Sequence, residues 1–104
     1  MAINYITTLV TTTPYTILST DEVILMNVAG PASIILPTIP AGKNTAFYVK
    51  DVSGQALTNA ITITATGGAT INGIAFALVN GNYSHVQVIW DGTGWQTLTN
   101  ECYE

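Results

Sequence analysis

Hydrophobic and polar residues alternate along several stretches of the chain, which is the pattern of strands with one buried face. The alternation predicts that one set of side chains builds the core: Phe47, Val49, Ile61, Ile63, Val86, Val88 and Trp90. Two continuous apolar runs, at residues 23–26 and 34–36, are typical of strands covered on both faces. Apolar residues nowhere recur at helical spacing over more than two turns, so we expect an all-β chain.

Clusters of Gly, Pro, Asn and Asp separate these runs at short, fairly regular intervals. The strongest hairpin signal is the Asp-Gly-Thr-Gly turn at residues 91–94, between alternating stretches at 86–90 and 95–99. Eight or so short strands at this spacing predict a β-sandwich, and we expect one of the jelly-roll type. No linker divides residues 15–104, so they are predicted to form a single domain.

The first fourteen residues differ from the rest, because they are rich in threonine and contain no charged side chain. We expect residues 1–14 to form an extended arm that contributes to assembly through its apolar residues. Those residues are Ile3, Tyr5, Ile6, Leu9 and Val10. Two interpretations are open here: the segment adds a strand to the sheet of a neighbouring chain, or it is the first strand of its own domain.

The chain carries very little charge, with two lysines, no arginine and six acidic residues among 104. Two lysines and a net charge of -4 cannot build the cationic face that nucleic-acid binding needs. One charged side chain for roughly 700 Å² of expected surface is a weak guard against association. We therefore expect the protein to associate with itself, although its 17 threonines and 8 asparagines also supply surface polarity.

The titratable residues do not form a catalytic pattern. His85, the single histidine, lies in a predicted strand and is interpreted as a polar surface residue. Asp51 and Asp91 each open a turn that contains glycine, where aspartate accepts hydrogen bonds from nearby backbone N–H groups. Asp21 and Glu22 are interpreted as a pair in a loop. We predict that the protein is not an enzyme.

Neither a metal site nor a membrane segment is predicted. One cysteine and one histidine are too few for structural zinc, and the chain contains no calcium-loop motif. Cys102 has no second cysteine to pair with in the chain and is predicted to be a free thiol. The longest apolar run, residues 74–79, is too short to span a bilayer, and no secretory signal is visible.

Two tryptophans flank the predicted hairpin. Trp90 alternates with Val86 and Val88 and is therefore placed in the core, whereas Trp95 follows the turn and is compatible with either core or surface. Exposed aromatic rings stack on sugars, which keeps a carbohydrate-binding module as an outside alternative. The aromatic residues show no fixed spacing, so a core or subunit-interface position is favoured.

Several short segments occur in a distinctive order. They are Ile35-Leu36-Pro37, Ala41-Gly42, the run FYVKDVSGQALTNAITI at residues 47–63, Ile71-Asn72-Gly73 and DGTGW at residues 91–95. This order resembles a β-rich module of tail fibre and other virion proteins of bacteriophages, and the long middle run is its most specific part. The resemblance covers residues 15–98. It implies a virion structural protein, usually a homotrimer, and carries over no functional residues.

The short segment before the module favours a small stand-alone protein, because fibre proteins often carry the module at the end of a long chain. We expect a capsid decoration, or cement, protein that is made in the host cytoplasm and contacts the major capsid protein or another virion protein. The alternative is a tail fibre or receptor-binding tip protein. No cofactor, nucleic acid or membrane is expected as a partner.

Overall fold

The computed structural model of the protein describes residues 6–18, 20–39 and 46–101. These residues form nine strands and one short 3-10 turn at Thr66–Gly68. The strands are β1 Thr7–Val10, β2 Tyr15–Thr16, β3 Val23–Met26, β4 Ala32–Leu36, β5 Ala46–Asp51, β6 Ile61–Ala65, β7 Ala77–Val79, β8 His85–Trp90 and β9 Trp95–Glu101. The all-β prediction is confirmed for the described part of the chain.

The strands form two sheets that pack against each other around one core. The larger sheet, which we call sheet A, has the strand order β1-β3-β5-β8-β9. The smaller one, sheet B, has the order β2-β4-β6-β7. Two packed sheets agree with the predicted β-sandwich.

The chain alternates between the sheets through its first six strands, with odd-numbered strands in sheet A and even-numbered strands in sheet B. As a result, β1 pairs in parallel with β3, β3 with β5, β2 with β4, and β4 with β6. The later pairs, β5 with β8, β6 with β7 and β8 with β9, are antiparallel. A jelly roll is an antiparallel architecture, so the described pairing does not follow the predicted jelly-roll topology.

The core lies between the sheets and is lined by the residues that the alternation selected. Six of the seven predicted core side chains are buried: Phe47, Val49, Ile61, Ile63, Val86 and Val88. Trp90 is the exception, because it is half-buried and packs against the edge of the core. Trp95 is 1% exposed, with its ring centroid 6.0 Å from that of Phe47 and 5.4 Å from that of Trp90. Trp95 thus fills the end of the core, and Trp90 covers it from outside.

The two continuous apolar runs are not covered on both faces, which corrects that prediction. Ile24 and Met26 are buried, whereas Val23 and Leu25 are only half-buried on the outer face of sheet A. The same alternation occurs in β4, where Ile35 is half-buried. Side chains of neighbouring strands shield these outer positions in part, so an apolar run does not require a second covering layer.

The predicted hairpin at residues 91–94 is confirmed, since it joins the antiparallel strands β8 and β9. Within the described part of the predicted arm, Thr7–Val10 is a strand that pairs with β3 of the same domain as the edge strand of sheet A, and the chain bends at residues 12–14. Whether residues 1–14 also act as an arm towards a neighbour stays a prediction. Cys102, Ile3 and Tyr5 lie outside the described residues.

Candidate assembly surface

Asp51, at the end of β5, is a buried carboxylate that accepts five hydrogen bonds. Its Oδ1 accepts from the N–H and hydroxyl of Ser53 (3.0 and 2.6 Å) and from the N–H of Gly54 (3.2 Å). Its Oδ2 accepts from the N–H groups of Ala56 and Tyr83, both at 3.1 Å. Burial raises the pKa of Asp51, but these hydrogen bonds outweigh burial and the pKa is lowered overall.

The predicted turn-capping role of Asp51 is therefore confirmed, and the structure extends it to a second loop. The Tyr83 ring lies so close to Gly54 that a Cβ atom there would be 2.6 Å from the ring. The Lys50 ammonium donates a hydrogen bond to the Tyr83 carbonyl and lies 5.9 Å from the ring centroid. Residues 50–56 of the distinctive middle run thus hold two loops together, which is an architectural task.

Asp21 is a second buried carboxylate and joins the first two strands to the loop that follows them. Its Oδ1 accepts from the Thr8 hydroxyl at 3.0 Å, and its Oδ2 accepts from the Tyr15 hydroxyl and the Leu18 N–H, both at 2.8 Å. Burial, the hydrogen bond to Asp21 and the charge of Asp21 raise the pKa of Tyr15 to about 12. The interpretation of Asp21 from the sequence, as one half of a loop pair with Glu22, therefore missed this anchoring role, because its partner Thr8 lies 13 residues away in sequence.

Asp91 caps its turn as predicted. It accepts hydrogen bonds from the N–H groups of Gly94 (2.9 Å) and Thr93 (2.8 Å) and from the side-chain amide of Gln96 (3.1 Å). These hydrogen bonds lower the pKa of Asp91, which is exposed. The turn geometry accounts for this carboxylate.

His85 lies half-buried on the outer face of sheet A, with its ring 6.3 Å from that of Tyr48. Together with Val23 and Lys50, these two side chains line a shallow depression of about 320 Å³. Within the described ranges, no three His, Cys, Asp or Glu side chains come close enough together to hold a metal ion.

The edges of the sheets differ in how they are protected from pairing with another chain. The edge strands of sheet B are only two and three residues long. In sheet A, the outer side of β9 is covered where the Trp95 N–H donates to the Thr70 carbonyl (2.9 Å) and the Asn72 N–H donates to the Trp95 carbonyl (2.8 Å). The Asn72 side chain adds two hydrogen bonds to Thr97, and β9 also contains a bulge at Leu98.

β1, at the other edge of sheet A, has no such cover among the described residues. The carbonyls of Ile6 and Val10 accept hydrogen bonds from N–H groups at the start of β3 and just beyond its end, at 3.0 and 2.9 Å. The N–H and C=O groups of successive strand residues point to opposite edges of the strand, so those of Thr7 and Leu9 point away from β3. β1 therefore presents an open backbone edge without a charged side chain.

The predicted assembly residues have different positions on this edge. Ile6 is 59% exposed and Leu9 is 60% exposed, so both can contact a neighbouring chain. Val10 is 4% exposed and belongs to the core of its own domain. The described part of the arm therefore offers two apolar side chains rather than three.

Other large apolar side chains are also exposed: Leu18, Leu57, Ile74, Phe76, Tyr83 and Leu98. The accessible surface measures 5700 Å², and the whole chain has only two basic and six acidic residues, of which Asp21 and Asp51 are buried. This surface is poorly suited to keep copies of the protein apart.

No protein-family model matches the chain, and no curated protein matches it. Within the described part, no helix is long and apolar enough to cross a membrane.

Proposed function

We propose that this chain is a non-enzymatic structural protein of a bacteriophage virion, and specifically a capsid decoration protein that stabilises the phage head. The observation that carries the proposal is the open β1 edge with its exposed Ile6 and Leu9, on a surface with little charge. A protein that works inside a larger assembly can leave strand edges and apolar side chains open, because its neighbours cover them.

The loops around Asp51 support a structural role. The middle run at residues 47–63, which resembles virion modules of phages, uses Asp51 to bind one loop and Gly54 to receive the Tyr83 ring of another. Lys50, Asp51 and Ser53 of this run are thus occupied in holding the fold. The resemblance adds the expectation of a homotrimer that contacts the major capsid protein or another virion protein.

The copy number of the protein in purified particles tests this proposal. On a stained gel, with the major capsid protein band as the internal standard, a decoration protein is expected in hundreds of copies per particle. A few to a few tens of copies would instead indicate a tail fibre or receptor-binding tip protein. Absence of the protein from particles that are otherwise complete would overturn a virion role altogether.

A further inference from the structure

We propose that β1 of one copy pairs antiparallel with β1 of a second copy, so that two A sheets join across a two-fold axis. In this pairing Thr7 of each copy lies opposite Leu9 of the other. The inference rests on the proposed function in one respect, namely that the open β1 edge is covered by a neighbour in an assembly.

The backbone of β1 carries the first step. Ile6 and Val10 use their carbonyls on the β3 side, so the peptide groups of Thr7 and Leu9 are the ones directed outwards. Among the described residues, nothing pairs with them. A second strand laid along this edge satisfies these groups in the way that a sheet satisfies any inner strand.

The second step is the register of the two β1 strands, which follows from the positions of the outward N–H and C=O groups of Thr7 and Leu9. In an antiparallel ladder, residues that exchange both hydrogen bonds lie directly opposite each other. A two-fold axis at Thr8 places Thr7 opposite Leu9 and Leu9 opposite Thr7, so both outward residues of both copies are used. A two-fold contact is the self-complementary kind, in which one surface patch meets its own copy.

The side chains carry the third step. Leu9 is 60% exposed on the outer face, and its neighbour across the sheet is Leu25, which is half-buried. In the proposed register the two Leu9 side chains are diagonal neighbours at about 7–8 Å, a distance that long side chains bridge. The apolar row from Leu25 to Leu9 then continues into the second copy.

Charge carries the fourth step and favours a second copy as the occupant. The chain has a net charge of -4, so a contact between two copies is favoured where it places no carboxylates opposite each other. No charged residue occurs before Asp21, which accepts three hydrogen bonds inside its own domain, and the Glu22 carboxylate beside the start of β1 accepts one from the Ile6 N–H at 2.7 Å. The paired β1 strands themselves therefore bring no charged side chain into the contact between two copies.

A two-fold contact joins copies in pairs, so a homotrimer would use a separate surface. The oligomer mass of a Leu9→Lys variant tests the contact, because a lysine on each strand places two cations at the shared edge. We expect sedimentation equilibrium to show half the wild-type mass, with the circular dichroism spectrum unchanged. Leu98→Lys is the matched control, since Leu98 is 59% exposed on the opposite edge strand, and it should keep the wild-type mass.

Cross-linking tests the register with a second pair of variants. In a Cys102→Ser background, Thr7→Cys and Leu9→Cys proteins should form a disulfide with each other when mixed, because directly opposed strand residues have the Cα spacing that disulfides need. Each variant alone should cross-link far less. A wild-type monomer, an unchanged mass for Leu9→Lys, or equal cross-linking of each variant with itself would overturn the inference.

These results are separable from those that bear on the virion role. If the Leu9→Lys protein keeps its oligomer mass while wild-type particles contain hundreds of copies, the β1 contact is wrong and the decoration role stands. If the mass halves but particles lack the protein, the contact stands and the virion role is wrong.

Discussion

Asn72 and Thr97 exchange two hydrogen bonds across the edge of sheet A. The Asn72 side-chain N–H donates to the Thr97 hydroxyl at 2.7 Å, and the Thr97 backbone N–H donates to Asn72 Oδ1 at 3.0 Å. The asparagine amide thus takes the place of a peptide group in a neighbouring strand. Asn72 has φ 55°, a conformation that asparagine tolerates better than most residues.

Replacing Asn72 by alanine should lower the free energy of unfolding by about 1–3 kcal/mol, because two hydrogen bonds are lost and alanine is strained at positive φ. Urea denaturation measures the loss. Asn72→Gly avoids the strain but does not restore the two hydrogen bonds, so it should remain less stable than wild type. Asn80→Ala, at an exposed asparagine that also precedes a glycine, is the control and should change stability little. Equal effects at Asn72 and Asn80 would contradict the role assigned to the Thr97 contact.

Replacing Asp51 by asparagine should destabilise the protein by about 3 kcal/mol or more. An amide of the same shape turns one acceptor into a donor that faces N–H groups, and buried groups are left unsatisfied. Asp91→Asn is the matched control, because Asp91 caps a similar turn but is exposed. This variant should lose clearly less unfolding free energy than Asp51→Asn. Chemical denaturation of both variants gives the comparison.

The same carboxylate should make stability depend on pH in the acid range. The pKa of Asp51 is lowered in the folded protein, so its contribution is present above the unfolded value of 3.8 and is lost as the pH falls through the folded pKa. The difference in unfolding free energy between wild type and Asp51→Asn should therefore shrink below about pH 4. A difference that stays constant from neutral pH down to about pH 2 would contradict this assignment.

Replacing Gly54 by alanine should be more harmful than replacing Gly67. Both glycines have nearly the same φ, 75° and 74°, so the backbone strain of an added Cβ is the same. Only Gly54 lies against the Tyr83 ring, whereas the space around Gly67 is open. Thermal unfolding should show an extra loss of about 1–3 kcal/mol for Gly54→Ala. Combining it with Tyr83→Ala should recover part of that extra loss, and strict additivity would refute the contact.

Removing the Tyr15 hydroxyl tests the link to Asp21. Tyr15→Phe should lose about 1–2 kcal/mol, because the Asp21 carboxylate loses a donor. The Tyr15 pKa is raised from 10.0 to about 12, so its stabilisation is present below pH 10 and is lost as the pH rises through about 12. Between these two pH values, the difference in unfolding free energy between wild type and Tyr15→Phe should disappear. An unchanged advantage across that interval of pH would exclude the hydrogen bond as its cause.

The sequence alone was sufficient to assign the buried faces of β5, β6 and β8, but not those of β3 and β4. Residues such as Val49 and Ile63 are buried because a strand sends alternate side chains to opposite faces, and this local rule needs no knowledge of the neighbouring strands. The hairpin at residues 91–94 and the turn-capping role of Asp91 were predictable for the same reason, since both depend on residues close in sequence.

The direction of strand pairing was not predictable in this way. Alternation is identical for parallel and antiparallel neighbours, so it carries no information on the pairing of β1 with β3. The long-range contacts of Asp21 and of Asp51 with Tyr83 were also hidden, because they depend on loops that the topology brings together. Trp90 and Trp95 lie opposite each other in the hairpin, and only their packing decides which of them fills the core.

The alternation of the chain between the two sheets has a consequence for folding. Thr7 pairs with Val23 and Ala32 pairs with Ile61, so each parallel contact closes a loop that contains a strand of the other sheet. Neither sheet is built from one continuous segment of the chain, because the strands of the two sheets alternate through the first six strands. The two layers therefore form one cooperative unit with many distant contacts, and such proteins reach their native state over milliseconds to seconds.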